Sequence, residues 1–307
     1  MLTVSQTAAL LRTFDNILIL THVRPDGDTV GCAAALCAGL RSLGKTAFLL
    51  PNPELTDTTA PYFRPYEAPE GFTPDKVVST DIATVGLFPE NARPYAERVD
   101  LAIDHHPSFE SFGRENIVLP EAAACGELIY DILSDLGPIT PEMALPLYVA
   151  VSTDTGCFAY ANTTAQTHAV AAALLIRTFL FEPIRVDGES MCDTLQDGEI
   201  MLVTKPEYLF GDPQRGDVVI CKYPGRTENF VKRVMGIPGD VIEIRSNVVY
   251  RNGEALDEPY LTPERNDNGF SMAPFTLGED EYFVMGDNRD NSHDSRNYYD
   301  YFTPAAL

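Results

Sequence analysis

A chain of 307 residues, 45% apolar and 22% charged, has a globular composition and enough length for two cores, which excludes a mainly disordered protein. Its 22 Lys and Arg face 45 Asp and Glu, a formal net charge of −23 spread over both halves. A bare chain this acidic repels phosphates, which excludes a nucleic-acid binder that works through a basic surface; carboxylates gathered around divalent ions would reverse that locally.

The first half alternates short apolar runs with helical patterns. Ile17–Leu20 reads as a strand, Thr29–Leu43 as a small-residue helix closed by Gly44, and Ala47–Leu50 as a second strand. Val77–Thr80 and Leu101–Ile103 are later strands. This alternation predicts a parallel α/β sheet. The Pro-rich stretch Pro51–Pro74 reads as a surface loop with little regular structure. From about Val186 the pattern changes to short β-rich runs: Ile200–Thr204, Asp217–Lys222, Val241–Arg245 and Val248–Arg251. Asn252-Gly253 after the last of these is a strong hairpin-turn signal. The expected architecture is therefore an α/β parallel-sheet domain over residues 1–175, then a mainly antiparallel β domain over 176–307.

Six cysteines stand at 32, 37, 125, 157, 192 and 221, none with C-x-x-C spacing, which argues against a zinc ribbon or a thioredoxin-type centre. They read as small core residues of a reduced protein. Met1–Leu11 lacks the basic start of a secretory signal. The longest apolar run, Ala169–Phe181, includes Arg177 and falls short of the ~20 residues a spanning helix needs, so the chain reads as soluble. The apolar cluster Leu174–Ile184, with Phe179, Leu180 and Phe181, fits an interdomain core or a surface that touches lipid.

Carboxylates and imidazoles gather where the predicted strands end. His22-Val-Arg-Pro-Asp26-Gly-Asp28 follows the first strand, Asp81 ends the third, and Asp104-His105-His106 ends the fourth. Asp154-Thr155-Gly156, read as a fourth such end, closes the set. In a doubly wound sheet these ends line one crevice. Alone, Asp-Gly-Asp is a turn and His-His a core or surface pair; four in order point to an oxygen and nitrogen ligand set suited to Mn²⁺, or less well Mg²⁺. Two such ions a few Å apart suit hydrolytic attack on phosphorus.

These residues resemble, in order, the four motifs of the DHH phosphoesterase superfamily, in the branch with oligoribonucleases and phosphoadenosine phosphatases, over about residues 5–175. The resemblance implies that His22, Asp26 and Asp81 hold one Mn²⁺ and that Asp28, Asp81, His105 and Asp154 hold a second, with Asp81 bridging. It implies that His106 faces the substrate phosphate, that Asp104 orients the histidines, and that the substrate is a nucleotide or short oligonucleotide. The Gly-rich substrate domain of that family does not follow.

A second group of blocks lies downstream. Ser190-Met191 precedes Thr194-Leu195; Gly216-Asp217-Val218-Val219 follows; then come Lys232-Arg233 with Gly236-Ile-Pro238-Gly239-Asp240, and last Gly286–Arg296. His293 is the one histidine of this half, so a Ser-His-Asp arrangement has one candidate base at most; a buried lysine can serve instead, because desolvation frees its lone pair. Together the blocks resemble type I signal peptidase, from about Arg177 to Arg296. The resemblance implies that Ser190 attacks the carbonyl after an Ala-x-Ala signal, that Lys232 is the general base and that Ser292 orients its amine. It also implies that the Ser190 N–H helps form the oxyanion hole, that Asp294 and Arg296 form a structural ion pair, and that the partners are signal peptides of exported preproteins. That family is membrane-associated and carries an anchor where this chain carries the first half, which leaves localisation and peripheral membrane contact open. The expected function is thus a Ser/Lys endopeptidase, metal-free in its own half, fused to a DHH-like domain. The alternatives are a Mn²⁺-dependent phosphohydrolase, or a recombined chain with neither activity.

Overall fold

The structure, a computed structural model, describes residues 1–206, 211–222 and 229–298. Two compact units divide the chain, Met1–Leu180 and Phe181–Leu307.

The first unit opens with helix α1 (Val4–Thr13), whose N-terminus is closed by a capping box in which Thr3 and Gln6 satisfy each other's amides. Strand β1 (Ile17–Leu20) is buried throughout. Helix α2 (Gly27–Ser42) starts where the Asp26 carboxylate accepts the amides of Asp28 and Thr29. Then come β2 (Ala47–Leu49), the short helix α3 (Ala60–Phe63), β3 (Lys76–Thr80), β4 (Leu101–Asp104) and β5 (Glu115–Val118). Helices α4 (Cys125–Leu136), α5 (Pro141–Asp154) and α6 (Ala165–Leu175) complete the unit.

The five strands form one parallel sheet in the order β2-β1-β3-β4-β5. Side chains alternate between its faces. Ile17, Ile19, Val78, Leu101 and Ile103 meet the helical layer, whereas Leu18, Leu20, Val77 and Ala102 pack with Phe88, Ala92 and Val99. This is the parallel α/β architecture expected, with every strand end of the β1, β3 and β4 group on one edge. Glycines let the helices close on each other. A Cβ on Gly31 of α2 would come within 2.9 Å of Ala150 Cβ, and one on Gly126 of α4 within 2.8 Å of the same atom. Any side chain there would push α2 or α4 away from α5.

Two local expectations need correction. Asp154 does not follow a strand: it is the last residue of α5 and reaches the strand ends from the helical layer. Pro51–Pro74 holds α3 and a 3-10 turn, Arg64–Tyr66, because Phe63 is buried and pins that segment to the core.

The second unit is antiparallel. Strands β6 (Phe181–Arg185) and β7 (Ile200–Thr204) pair with each other. Strands β8 (Val218–Lys222), β9 (Asn229–Gly236) and β14 (Phe283–Met285) form a three-stranded sheet with β9 in the centre. Strands β10 (Val241–Arg245), β11 (Val248–Arg251), β12 (Glu254–Ala255) and β13 (Met272–Thr276) form a four-stranded one. Asn252 and Gly253 both adopt positive φ, 54° and 86°, which is the twist a two-residue hairpin between β11 and β12 requires. Ser246 and Asn247 do the same between β10 and β11, at 45° and 69°. One core lies between β8, β9 and β14 (Val219, Cys221, Val234, Tyr282, Val284), another under β10, β11 and β14 (Ile242, Ile244, Val249, Phe283, Met285).

Five cysteines are buried and all six are free thiols; Cys157, expected in a core, is exposed in the turn after α5. No helix among the described residues is long and apolar enough to cross a membrane. Phe179, Leu180 and Phe181 are each partly exposed, as are Ile200 and Leu202 on β7.

Candidate active sites

The first site lies at the strand ends of the parallel sheet. His22 follows β1, Asp81 follows β3, His105 and His106 follow β4, Asp26 and Asp28 begin α2, and Asp154 ends α5. Asp81 sits at positive φ, 57°, a backbone state that Asp tolerates better than most residues and that turns its carboxylate into the crevice. Its two oxygens face different ways. Oδ2 lies 3.7 Å from His22 Nε2, and Oδ1 lies 3.6 Å from both His105 Nε2 and His106 Nδ1. His105 Nε2 also lies 3.8 Å from Asp28 Oδ2 and 3.5 Å from Asp154 Oδ2, and His22 Nε2 lies 3.6 Å from Asp26 Oδ1. The structure thus brings together all seven residues.

The imidazoles are held with one nitrogen free for a ligand. His22 Nδ1 is 2.7 Å from the Val23 carbonyl and His105 Nδ1 is 3.1 Å from the Ala122 carbonyl, which turns each Nε2 toward the carboxylates. Asp104 is fully buried. Its Oδ1 accepts the amides of His105 and His106 and lies 2.8 Å from His106 Nδ1. That bond raises His106 to about 9. Asn52, which no motif announces, donates to Thr21 Oγ1 at 3.0 Å and to the His22 carbonyl at 2.9 Å, bracing the start of the crevice.

The electrostatics of the carboxylates favour a cation. Burial and then Asp154 push the Asp28 acid up to about 8, although the Cys125 and Gly126 amides at the start of α4 donate to it. Burial, with Asp28 and Asp26 beside it, pushes Asp81 well above the carboxylate range. Burial works the same way on Asp26, but the bond to His22 and the helix amides outweigh it and hold that acid low. Asp81 Oδ1 is buried without a hydrogen-bond partner. Clustered, half-satisfied carboxylates of this kind are what a divalent ion neutralises. Three sets have ligand atoms within 4.8 Å of one another: His22, Asp26 and Asp81; Asp28, His105 and Asp154; Asp81, His105 and His106. The residues fit a metal centre.

The second site lies in the antiparallel unit. Lys232 is on the central strand β9 with 1% of its surface exposed, and its Nζ lies 2.8 Å from Ser190 Oγ in the loop between β6 and β7. The same amine donates to the Val231 carbonyl at 2.8 Å. Burial lowers the pKa of Lys232, against the pull of Asp294 and the smaller effects of Cys221 and Asp287. Ser292 donates to Asp294 Oδ2 at 2.7 Å, so among the described hydrogen bonds its hydroxyl serves Asp294 and not the Lys232 amine. Asp294 also receives a bidentate Arg296, at 2.8 and 2.9 Å, and the Gly286 amide at 3.0 Å, all buried.

The last block does more than supply Ser292. The Asn288 amide donates to the Ser190 carbonyl and its side chain to the Glu189 carbonyl, both at 3.0 Å. Asp287 takes a bidentate Arg233, at 2.9 and 2.7 Å, and a short bond from Thr194 Oγ1. The Ser190 loop is therefore held at Glu189 and Ser190 by Asn288, and at Thr194 by Asp287, which Arg233 next to Lys232 clamps. Gly286 is packed so closely against the Ser190 carbonyl and Ser292 Oγ that no side chain fits there. Thr194, Arg233, Asp287 and Asn288 lie inside the sequence blocks, but their pairings cross about 40 to 100 positions and leave no periodic signal.

Comparison with known proteins agrees with both halves. The family "Signal peptidase, peptidase S26" matches residues 160–306, and "DHH family, N-terminal domain" matches residues 16–151. Signal peptidase I of Bacillus licheniformis is 44% identical over 136 residues, covering 42% of this chain and 73% of that protein. Signal peptidase I S of Bacillus subtilis (strain 168) is 42% identical over 147 residues, covering 45% and 79%. The crystal structure of an exopolyphosphatase-related protein from Bacteroides fragilis matches with a TM-score of 0.51 at 23% identity, covering 57% of this chain and 56% of that one. This chain spans just over half of that protein's length, and the likeness is one of fold. The buried lysine and serine, with the blocks around them, thus sit in a chain that belongs to the signal peptidase family, and its N-terminal part matches the DHH family's N-terminal domain.

Proposed function

We propose that Ser190 and Lys232 form the dyad of a signal peptidase that cleaves exported preproteins after Ala-x-Ala. The observation that carries this reading is the 2.8 Å approach of a buried lysine amine to a serine hydroxyl. The neutral amine takes the hydroxyl proton as Oγ attacks the carbonyl carbon. The Ser190 N–H supports the oxyanion. The scissile C–N bond then breaks, the proton passes to the leaving amine, and water hydrolyses the ester to free Ser190. Ser292 acts through Asp294, which also holds the Gly286 amide beside the Ser190 loop. The exposed Phe181, Ile200 and Leu202 on the β6–β7 pair suit a peripheral contact with the membrane that presents such substrates. The test is a quenched Ala-x-Ala peptide offered to the purified chain and to Lys232→Ala without metal. Loss of cleavage in the variant supports the dyad, and an unchanged rate sinks it.

A second activity is favoured by the strand-end ligand sets. Two Mn²⁺ would be held, one by His22, Asp26 and Asp81, the other by Asp28, Asp81, His105 and Asp154. Ions so held supply an acidified water and charge stabilisation for phosphoester hydrolysis. His106, kept protonated at neutral pH by Asp104, would face a nucleotide phosphate or that of a short oligonucleotide. Mn²⁺-dependent release of mononucleotides, lost in Asp81→Ala, tests this reading, and a chain that binds no Mn²⁺ by calorimetry rules it out.

A further inference from the structure

Glu258 and Tyr260 lie after β12, outside every block that the sequence marks, yet they bond to residues of two blocks. Arg289 is 1% exposed and donates through its guanidinium to both Glu258 oxygens, one bond at 3.3 Å and one very short. The other edge of Arg289 donates through Nε to the Gly286 carbonyl at 3.0 Å. The Tyr260 hydroxyl donates to Glu258 Oε1 at 2.7 Å, and the Tyr260 ring lies under Arg233, its guanidinium carbon 4.0 Å from the ring centroid. Arg233 in turn clamps Asp287, which holds Thr194. Gly286, Asp287 and Asn288 are the residues that touch or hold the Ser190 loop.

We propose that Glu258 is a positioning residue for the peptidase reaction: through Arg289 it holds the Gly286 carbonyl, and through Tyr260 it seats Arg233, so that one carboxylate fixes the loop that carries Ser190 against Lys232. This rests on the Ser190/Lys232 reading above. The physical reason is charge and geometry together. A guanidinium buried this deeply needs a counter-ion, and Glu258 is the carboxylate it pairs with. Without it, Arg289 must turn toward water, releasing the Gly286 carbonyl and the bed of Arg233. The nucleophile and base are on different segments, so a small displacement of either is felt in the chemical step and not in peptide binding.

The test is steady-state cleavage of a quenched Ala-x-Ala peptide by the full chain, with kcat and KM separated and folding followed by circular dichroism. Glu258→Ala is expected to lower kcat by about 30- to 100-fold with KM within about twofold. Glu258→Gln, whose amide oxygen still accepts from Arg289 although its counter-charge is gone, is expected to fall between Glu258→Ala and the unmutated chain, losing clearly less kcat than Glu258→Ala. If Glu258→Ala fails to fold, Tyr260→Ala decides, since it leaves the Glu258–Arg289 pair intact and removes the bed of Arg233. A fall of about tenfold in kcat with KM unchanged is expected there. A folded Glu258→Ala or Tyr260→Ala with unchanged kcat, a loss confined to KM, or a Glu258→Gln as impaired as Glu258→Ala overturns the proposal. An unmutated chain that cleaves nothing, or a Lys232→Ala that cleaves as well as it, overturns the dyad reading and this inference with it.

Discussion

Lys232 Nζ lies 2.8 Å from Ser190 Oγ, and the amine is buried on the central strand of its sheet with no carboxylate bonded to it among the described residues. Burial keeps this amine desolvated, which has a cost the fold carries at neutral pH. Its pKa in the folded chain lies below the ordinary value of 10.5. Between the two values the unfolded chain binds the extra proton, so stability rises with pH through that window and the penalty is complete below it. Lys232→Met is therefore expected to abolish peptide cleavage, by about 10²–10⁴-fold or more, and to raise the melting temperature of the β unit at pH 7. The gain over the unmutated chain should shrink as the pH approaches 10.5. Melting curves at pH 7 and pH 10 check this; a variant less stable at pH 7 than at pH 10, relative to the unmutated chain, contradicts it.

Gly286 has no space for a methyl group between the Ser190 carbonyl and Ser292 Oγ. Gly286→Ala is expected to push the Ser190 loop off the base, lowering kcat by about 100-fold at a stability cost of about 1–3 kcal/mol. Kinetics paired with denaturant unfolding separate the two effects. A variant with full kcat would show that the loop can shift without moving Oγ.

The sequence carries the parallel sheet because β1, β3 and β4 are buried on both faces, so Ile17–Leu20, Val77-Val78 and Leu101–Ile103 read as apolar runs without polar alternation. Strand β5 escapes because Glu115-Asn116-Ile117-Val118 is an edge with one fully buried residue. Asp154 was legible as a member of the carboxylate and imidazole cluster but not as a helix end, since Val151-Ser-Thr-Asp154 has strand-like composition and it is packing on α2 and α4 that makes it α5. Ser190, Lys232 and the Asp294–Arg296 pair were legible through their blocks. Asn52, Glu258 and Tyr260 were not: Asn52 and Glu258 bond to residues about 30 positions away, and Tyr260 lies under Arg233, contacts that no spacing predicts.

Asp294 and Arg296 form a buried pair, and Asp294 also holds Ser292 and the Gly286 amide. Asp294→Asn keeps the shape and removes the charge, leaving the Arg296 guanidinium buried beside a neutral group. The expected cost is about 3–5 kcal/mol, because breaking one side of a buried pair leaves the other uncompensated. Denaturant unfolding of the β unit, followed by its tyrosines, measures it. Arg296→Met should cost as much, and the double variant Asp294→Asn/Arg296→Met should cost less than the sum, since the pair is one unit.

Asp81 presents one oxygen toward His22 and the other toward His105, so a single carboxylate belongs to both of the proposed ligand sets. In the metal-free chain that buried charge, with Asp28 and Asp26 beside it, opposes folding. Asp81→Asn should therefore raise the melting temperature of the metal-free α/β unit while removing its response to Mn²⁺. The unmutated unit, at about 100 times its dissociation constant for Mn²⁺, should gain about 2.7 kcal/mol. Adding a chelator should return it to the metal-free value, since the ion binds only the assembled site. Scanning calorimetry with and without Mn²⁺ reads both effects in one series. An unmutated unit whose transition Mn²⁺ does not move, or an Asp81→Asn unit stabilised by Mn²⁺ as much as the unmutated one, would show that the bridging position is not where the ions are held.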